Sequence, residues 1–333
     1  MKRVGYLIEK IADLDNLYLA YTKACRGKRM KCEVMAFSAD LDRHISELRE
    51  SILKGNPVVG HYHYFTIYDP KERVICAASF SERVLHHAIM NICHIYFDSW
   101  LIDHTYATRP GKGVYAALDY VKNHISNHQW LCKLDVRKFF DSIDHNILKS
   151  MLVKKFKDKL LLRILFRIID SYECTPDKGL PIGNLTSQYF ANMYLSGLDR
   201  YAKEVLKVKV YARYMDDILI AFYSKNEMKE VEQRLRYFAE EKLNLRLKSP
   251  VFAGCQNGIT FLGYRIFPHY YMLSARSKRR FRKKYNHNKK LFENQIINQR
   301  EYQLRLLPLL AFVSHAKSRG FRMDCFKQEY SSY

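Results

Sequence analysis

Two periodicities alternate along this chain, and the points where one gives way to the other divide it. Residues 32–55 carry apolar side chains at helical spacing among many charges, and Gly55-Asn56-Pro57 ends the run. A period of two follows over His61-Tyr62-His63-Tyr64-Phe65-Thr66-Ile67-Tyr68. A turn at Asp69-Pro70-Lys71-Glu72 and a second short run, Arg73-Val74-Ile75-Cys76, complete the pattern of a β-hairpin. Helical spacing returns over 81–98. Leu131-Cys132-Lys133-Leu134-Asp135-Val136 then predicts a short, largely apolar strand with a carboxylate near its end. Asp144 is placed to cap a helix over 145–156, a second helix is predicted over 159–172, and Gly179-Leu180-Pro181-Ile182-Gly183-Asn184 reads as a turn. The next helix sets Phe190, Met193, Tyr194, Gly197, Leu198 and Tyr201 on one side. Residues 208–214 and 218–222 predict two strands joined tightly at Met215-Asp216-Asp217. An amphipathic helix over 226–243 and further strands over 258–266 follow. This order describes an α+β fold, a sheet with helices on one face.

Composition narrows the partner. The chain has 333 residues, 48% of them hydrophobic, enough for one large domain or two to three ordinary ones with a sizeable core. No internal repeat or low-complexity linker interrupts it. The most apolar stretch, 160–169, is broken by Arg163 and Arg167, so no membrane span is expected. Glu9 and Asp13 arrive too early for a secretory signal. Eight scattered cysteines without a CxxC pair are expected to be reduced packing residues in a cytoplasmic protein, and a zinc site is not expected. The pairs His61 with His63 and His86 with His87 lack partnered ligand spacing and are read as structural. Against this ordinary background the net charge stands out at +22, with 25 tyrosines. Cations seek phosphates and rings stack on bases, so nucleic acid is the expected partner. Residues 271–290 carry nine Lys or Arg and no acid, interleaved with Phe281 and Tyr285. Arg279, Arg280, Arg282 and Lys283 there are candidates for a phosphate-tracking surface.

The candidate chemistry lies in three acids. Asp-Asp is a common turn dipeptide. Here, however, Asp216 and Asp217 sit at the tip of an apolar hairpin, and Asp135 ends a similar apolar strand. Strands this apolar are central, so their acids converge on one sheet edge, where the carboxylates repel unless a cation screens them. Hard oxygen ligands without His or Cys point to Mg²⁺. In a basic protein, a carboxylate-bound metal pair suits in-line nucleotidyl transfer.

Tyr214-Met215-Asp216-Asp217 in a strand–turn–strand resembles the signature of reverse transcriptases, and the resemblance extends over most of the chain. The run from Leu134 through Asp135, Val136, Arg137, Lys138, Phe139 and Phe140 to His145 is similar to the family's first palm motif. Thr105-Tyr106-Ala107-Thr108-Arg109-Pro110-Gly111-Lys112-Gly113 resembles a fingers motif of bacterial retroelement enzymes, and Phe261-Leu262-Gly263-Tyr264 resembles the primer-contacting hairpin. The resemblance implies a right-hand polymerase fold. An N-terminal extension and the fingers would occupy 1–130, the palm 131–265 with a helical fingers insertion around 150–182, and a basic helical thumb 266–333. It implies that Asp135, Asp216 and Asp217, with Val136, hold two Mg²⁺ ions, Mn²⁺ being the alternative. Phe140 matches the aromatic gate that rejects a 2′-hydroxyl. Arg73, Lys138, Phe139, Ile182 and Lys248 would lie on the nucleotide, and Arg109, Lys112, Tyr214, Met215, Leu262 and Gly263 on nucleic acid.

One departure narrows the family. Where most reverse transcriptases have Pro-Gln-Gly, this chain reads Pro181-Ile182-Gly183 within a string running on to Gln188. That string resembles the enzymes of diversity-generating retroelements. An apolar side chain checks a base pair by shape alone, whereas a hydrogen-bonding one rejects wrong partners more strongly. Ile182, with Arg73, is therefore the expected fidelity determinant. The resemblance implies errors opposite template adenines, a template RNA, a primer or cDNA strand, dNTPs, and a small basic accessory protein oligomer, with no membrane. A faithful reverse transcriptase of retron, group II intron or defence type is the enzyme alternative, although no Val-Thr-Gly triplet marks a retron and the stretch after Arg265 is expected to lack an added endonuclease. A non-catalytic RNA-binding scaffold is the other.

Overall fold

The computed structural model describes residues 3–68 and 72–327. The expected turn at Asp69-Pro70-Lys71 and the last residues of the expected thumb, 328–333, lie outside them. The described strands are β1 (Tyr62–Ile67), β2 (Arg73–Ala78), β3 (Trp130–Leu134), β4 (Val210–Tyr214), β5 (Asp217–Phe222), β6 (Val251–Gly254), β7 (Ile259–Phe261), β8 (Tyr264–Phe267) and β9 (Tyr270–Leu273). The chain divides into two compact units that interleave along the sequence. One comprises Met1–Asp103, Val136–Tyr201 and Leu235–Leu247; the other comprises His104–Asp135, Ala202–Arg234 and Lys248–Tyr333. No helix among the described residues is long and apolar enough to cross a membrane.

The first unit is mainly helical, and its helices begin where a short polar side chain satisfies an orphan N–H. Asp13, Ser79, Asp144 and Asp158 each accept from the backbone three residues on, starting Leu14–Ala24, Phe80–Asp98, His145–Lys155 and Lys159–Asp170. Phe80–Asp98 runs through the core, burying Val84, Leu85, Ala88 and Ile89, with Leu17 and Ala20 of Leu14–Ala24 packed against that helix. The continuous helix expected over 32–55 is corrected. Asp40, at φ −136° and ψ 60°, leaves the helical region and splits it into Cys32–Ala39 and Leu41–Leu53. Strands β1 and β2 form the expected antiparallel hairpin, Tyr62 opposite Ala78 and Ile67 opposite Arg73.

The second unit holds a four-stranded antiparallel sheet in the order β4-β5-β3-β6. Leu131, Ala212 and Leu219 share one buried cluster with Ala117, Leu118 and Val121 of the helix Val114–His124. A three-stranded sheet, β7-β8-β9, joins the same cluster through Phe261, Tyr264 and Ile266. The basic run folds as the helix Ala275–Glu293, whose Phe281 and Tyr285 turn into the core with parallel rings 5.9 Å apart while the cations stay outside. The Tyr264 hydroxyl donates to the Phe312 carbonyl, 2.7 Å away, tying the small sheet to the helix Gln299–Ser314.

In the first unit Tyr194 is buried, and its hydroxyl joins three segments. It donates to the Leu243 carbonyl at 2.6 Å and accepts from the Asp144 N–H at 3.3 Å. Tyr194→Phe leaves that carbonyl without its donor. Chemical denaturation is expected to show a loss of about 1–2 kcal/mol at unchanged m-value.

Candidate active site

The acids reach one sheet edge through strand register. Tyr214 pairs with Asp217, so β4 and β5 are joined by only two residues, Met215 and Asp216. Met215 has φ 53°, a left-handed conformation that glycine adopts more readily, and such strain persists only where its surroundings hold it. One holder is Arg213, fully buried in β4, whose Nη1 donates to the Met215 carbonyl at 3.0 Å. Strand β3 lies antiparallel to β5 with Leu134 opposite Ile218, so the next step brings Asp135 level with Asp217.

Two lysines answer the resulting negative charge. Lys133, opposite Leu219, reaches diagonally across the strands, and its Nζ lies 2.9 Å from Asp217 Oδ1. Lys248 forms an ion pair with Asp135 Oδ1 and also donates its backbone N–H to the Asp135 carbonyl at 2.8 Å. Among the described residues Asp216 makes no ion pair, and Lys248 offsets its charge only weakly. Its carboxyl is pushed up to about 6, first by burial and then by the Asp135 and Asp217 carboxylates. Among the described residues no three His, Cys, Asp or Glu side chains form a ready-made cation cage. The lysine contacts explain this, since two of the three carboxylates are drawn to ammonium groups. The residues nevertheless suit a hard divalent cation. Every candidate donor is oxygen, and Asp216 lies buried beside two further carboxylates with no ion pair of its own among the described residues. Val136 faces Leu247 at a position flanked by the Lys248–Asp135 and Arg137–Arg246 backbone bonds, so its own carbonyl stays outside that short ladder.

Residues assigned to the nucleotide by resemblance lie in the first unit, apart from Lys248. Phe139 is buried and Phe140 half-buried, in a short helix entered through Lys138 at φ 47°. The Phe140 carbonyl accepts from the Leu180 N–H at 2.8 Å, which fixes the loop leading to Ile182. That loop is stitched to β2: the Cys76 N–H donates to the Ile182 carbonyl at 2.8 Å, and the Ala78 N–H to Asn184 Oδ1 at 3.1 Å. Gly183 between them has φ 121°, and a Cβ there would come within 2.7 Å of Ile75 Cγ2, so only glycine fits. Arg73 opens β2 and is exposed.

The remaining predicted residues lie in the second unit. Arg109 Nη1 donates to the Thr105 carbonyl and hydroxyl at 3.0 and 2.8 Å, closing its own loop, and Lys112 Nζ lies over the Tyr106 ring. Leu262 and Gly263, both at positive φ, form the β7–β8 turn, whose Gly263 carbonyl accepts from Ser277 Oγ at 2.7 Å. On the basic helix Arg279, Arg282 and Lys283 are exposed, while Arg280 is half-buried against the Phe312 ring. Sequence reasoning missed Lys133, Arg213 and Asn184. A cation inside the apolar strand Val210–Tyr214 was the available signal for Arg213, and the two-residue spacing from Asp135 for Lys133.

The family model for reverse transcriptase (RNA-dependent DNA polymerase) matches residues 68–266, which include all three acids. The chain belongs to the reverse transcriptase family. Nuclear intron maturase 3, mitochondrial, of Arabidopsis thaliana is 25% identical over 73% of this chain and 40% of its own length. The group II intron-encoded protein LtrA of Lactococcus lactis subsp. cremoris is 26% identical over 54% of this chain and 31% of its own. This reverse transcriptase chain thus spans well under half the length of these curated relatives. Among solved structures, apo telomerase from Candida tropicalis, truncated from its C-terminal domain, aligns with a TM-score of 0.48 at 14% identity, covering 64% of this chain and 55% of that one.

Because burial and two carboxylates raise the Asp216 pKa above its ordinary 3.8, the folded state binds that proton more tightly than the unfolded one. Its stabilising contribution is full below about pH 4 and is lost as pH rises through about 6. In buffer stripped of divalent cations, Asp216→Asn should therefore stabilise the fold by up to about 2–3 kcal/mol at pH 7.5 and by little at pH 4. Thermal unfolding at the two pH values measures this.

Proposed function

We propose that this chain is an RNA-directed DNA polymerase that copies a template RNA into cDNA as the mutagenic enzyme of a diversity-generating retroelement. The observation that carries the polymerase reading is the convergence of Asp135, Asp216 and Asp217 at one edge of an apolar sheet in a chain of net charge +22. Asp135, Asp216 and Asp217, with the Val136 carbonyl, would hold two Mg²⁺ ions. When bound, these would lower the pKa of a primer 3′-hydroxyl and stabilise the departing pyrophosphate. The chain's own residues prepare that chemistry. Lys133 and Lys248 form ion pairs with Asp217 and Asp135 and hold these two carboxylates in place. Arg213 fixes the Met215 carbonyl and hence the turn that aims Asp216. Phe140 would exclude a 2′-hydroxyl by bulk, and Arg73 would grip the incoming nucleotide. The parts 1–130, 131–265 and 266–333 would serve as N-terminal extension with fingers, palm, and basic thumb.

The retroelement type rests on the loop at Ile182. Its carbonyl is committed to Cys76 and the loop is pinned through Asn184 and Gly183, which leaves an apolar side chain as what this position offers a base pair. A hydrocarbon wall discriminates weakly compared with a hydrogen-bonding group. A template RNA, dNTPs and a small basic accessory oligomer would be the partners. A second reading, a faithful enzyme of group II intron type, is favoured by the intron maturase and the intron-encoded protein among the relatives.

Sequencing single cDNA molecules made in Mg²⁺ on an RNA containing all four bases separates the two. Substitutions are expected to concentrate opposite template adenines and to fall several-fold in Ile182→Gln. Evenly low errors at all four bases would assign the chain to the faithful type.

A further inference from the structure

His145, the first residue of the helix His145–Lys155, is fully buried, and both nitrogens of its ring meet polar groups. Its Nε2 lies 2.7 Å from the Gly179 carbonyl. Its Nδ1 lies 3.4 Å from Asp170 Oδ1, an oxygen that Lys149 also holds at 2.5 Å. A carbonyl only accepts, so Nε2 carries a proton and donates it. The His145 backbone N–H donates to the Asp177 carbonyl at 2.9 Å, so this one residue grips the 177–179 segment twice.

The bond to Gly179 matters through the peptide on which it falls. The Gly179 carbonyl and the Leu180 N–H belong to one planar unit. That N–H donates to the Phe140 carbonyl at 2.8 Å. The plane is therefore clamped from both edges, by the His145 ring on one and by the backbone of Phe140 on the other. The preceding peptide is fixed separately, because the Gly179 N–H donates to the Ile143 carbonyl at 2.9 Å. Gly179 stands at φ 121°, and glycine passes between backbone conformations more freely than any other residue. Without His145, rotation of the Gly179–Leu180 unit is resisted by the Phe140 bond alone. Ile182 lies two residues further on.

We propose that His145 is a positioning residue that sets nucleotide specificity: its Nε2–H orients the Gly179–Leu180 peptide and so fixes Ile182 relative to Phe140. This rests on the polymerase reading, in which Phe140 meets the sugar and Ile182 the base pair. The bonds to Cys76 and Ala78 hold the loop at and beyond Ile182, and His145 supplies the restraint on the side that approaches from Phe140. Asp170 beside Nδ1 favours the ring orientation that keeps Nε2 on Gly179.

Single-nucleotide incorporation on a primed RNA by the full chain, compared with His145→Leu and His145→Gln, tests the assignment. Leucine fills the buried space without a donor, whereas glutamine offers an Nε2–H at nearly the same reach. In His145→Leu the preference for deoxynucleotides over ribonucleotides, as a ratio of kcat/KM, should fall by about five- to thirtyfold. The loss should lie mainly in a raised KM for the correct deoxynucleotide, and discrimination against mispaired bases should fall with it. His145→Gln should recover both ratios to within about threefold. Should His145→Leu fail to fold, His145→Asn, whose shorter amide does not reach Gly179, takes its place with the same expectations. Hydrogen exchange gives a readout without catalysis. The Leu180 amide should exchange about tenfold faster in His145→Leu and at the native rate in His145→Gln. A leucine variant that lowers turnover equally for every nucleotide would make His145 a packing residue and overturn the proposal. So would unchanged exchange at Leu180, or a glutamine variant as impaired as the leucine one. If the native chain incorporates no nucleotide, the polymerase reading fails, and exchange at Leu180 still decides whether His145 holds this peptide.

Discussion

Mutual repulsion among three carboxylates at the end of an apolar sheet is the constraint around which the second unit is arranged. Asp135 and Asp217 are level with each other by strand register, and Asp216 occupies the two-residue turn beside them. Apolar neighbours remove the water that would screen such charges, so each acid needs another source of relief. Lys248 and Lys133 supply it for Asp135 and Asp217. Asp216 obtains too little from Lys248 to offset burial and its two neighbours, and its carboxyl is raised to about 6. The strained Met215 and the buried Arg213 beneath its carbonyl belong to the same arrangement, because the turn must be rigid for the acids to stay together. A fold that keeps such acids close without neutralising all of them gives up stability, and on the proposed reading the return is the capacity to take up cations.

Within the first unit a different economy governs the loop at Ile182. Hydrogen bonds to Cys76 and Ala78 and the tight contact of Gly183 with Ile75 make the loop an extension of the hairpin edge. Backbone polarity there is spent on holding position, so position 182 contributes shape alone. The proposed loss of fidelity then needs no flexible site. A rigid apolar surface that cannot distinguish partners by hydrogen bonding is sufficient.

Much of this was legible in the sequence for identifiable reasons. The acids could be found because they interrupt strongly apolar strands, and the start of the helix over 145–156 because Asp144 precedes helical spacing. The break at Asp40 was hidden, since the apolar spacing continues through it and only the local φ and ψ reveal the division. Lys133 and Arg213 carry no motif. Their roles depend on which strand lies beside which, and register is a tertiary fact. Arg109 illustrates the converse: a basic loop residue that reads as a phosphate contact spends two of its hydrogen bonds closing its own loop on Thr105. The strands β6 and β9 are short and their exposure is mixed, so periodicity alone could not mark them.

Primer extension on an RNA template by the purified chain, titrated with Mg²⁺ and compared with Asp135→Ala and Asp217→Ala, tests the central claim most directly. Extension should require the divalent cation and fall by about a thousandfold or more in either variant while RNA binding persists. Extension that survives both substitutions, or proceeds at full rate without the cation, would contradict it.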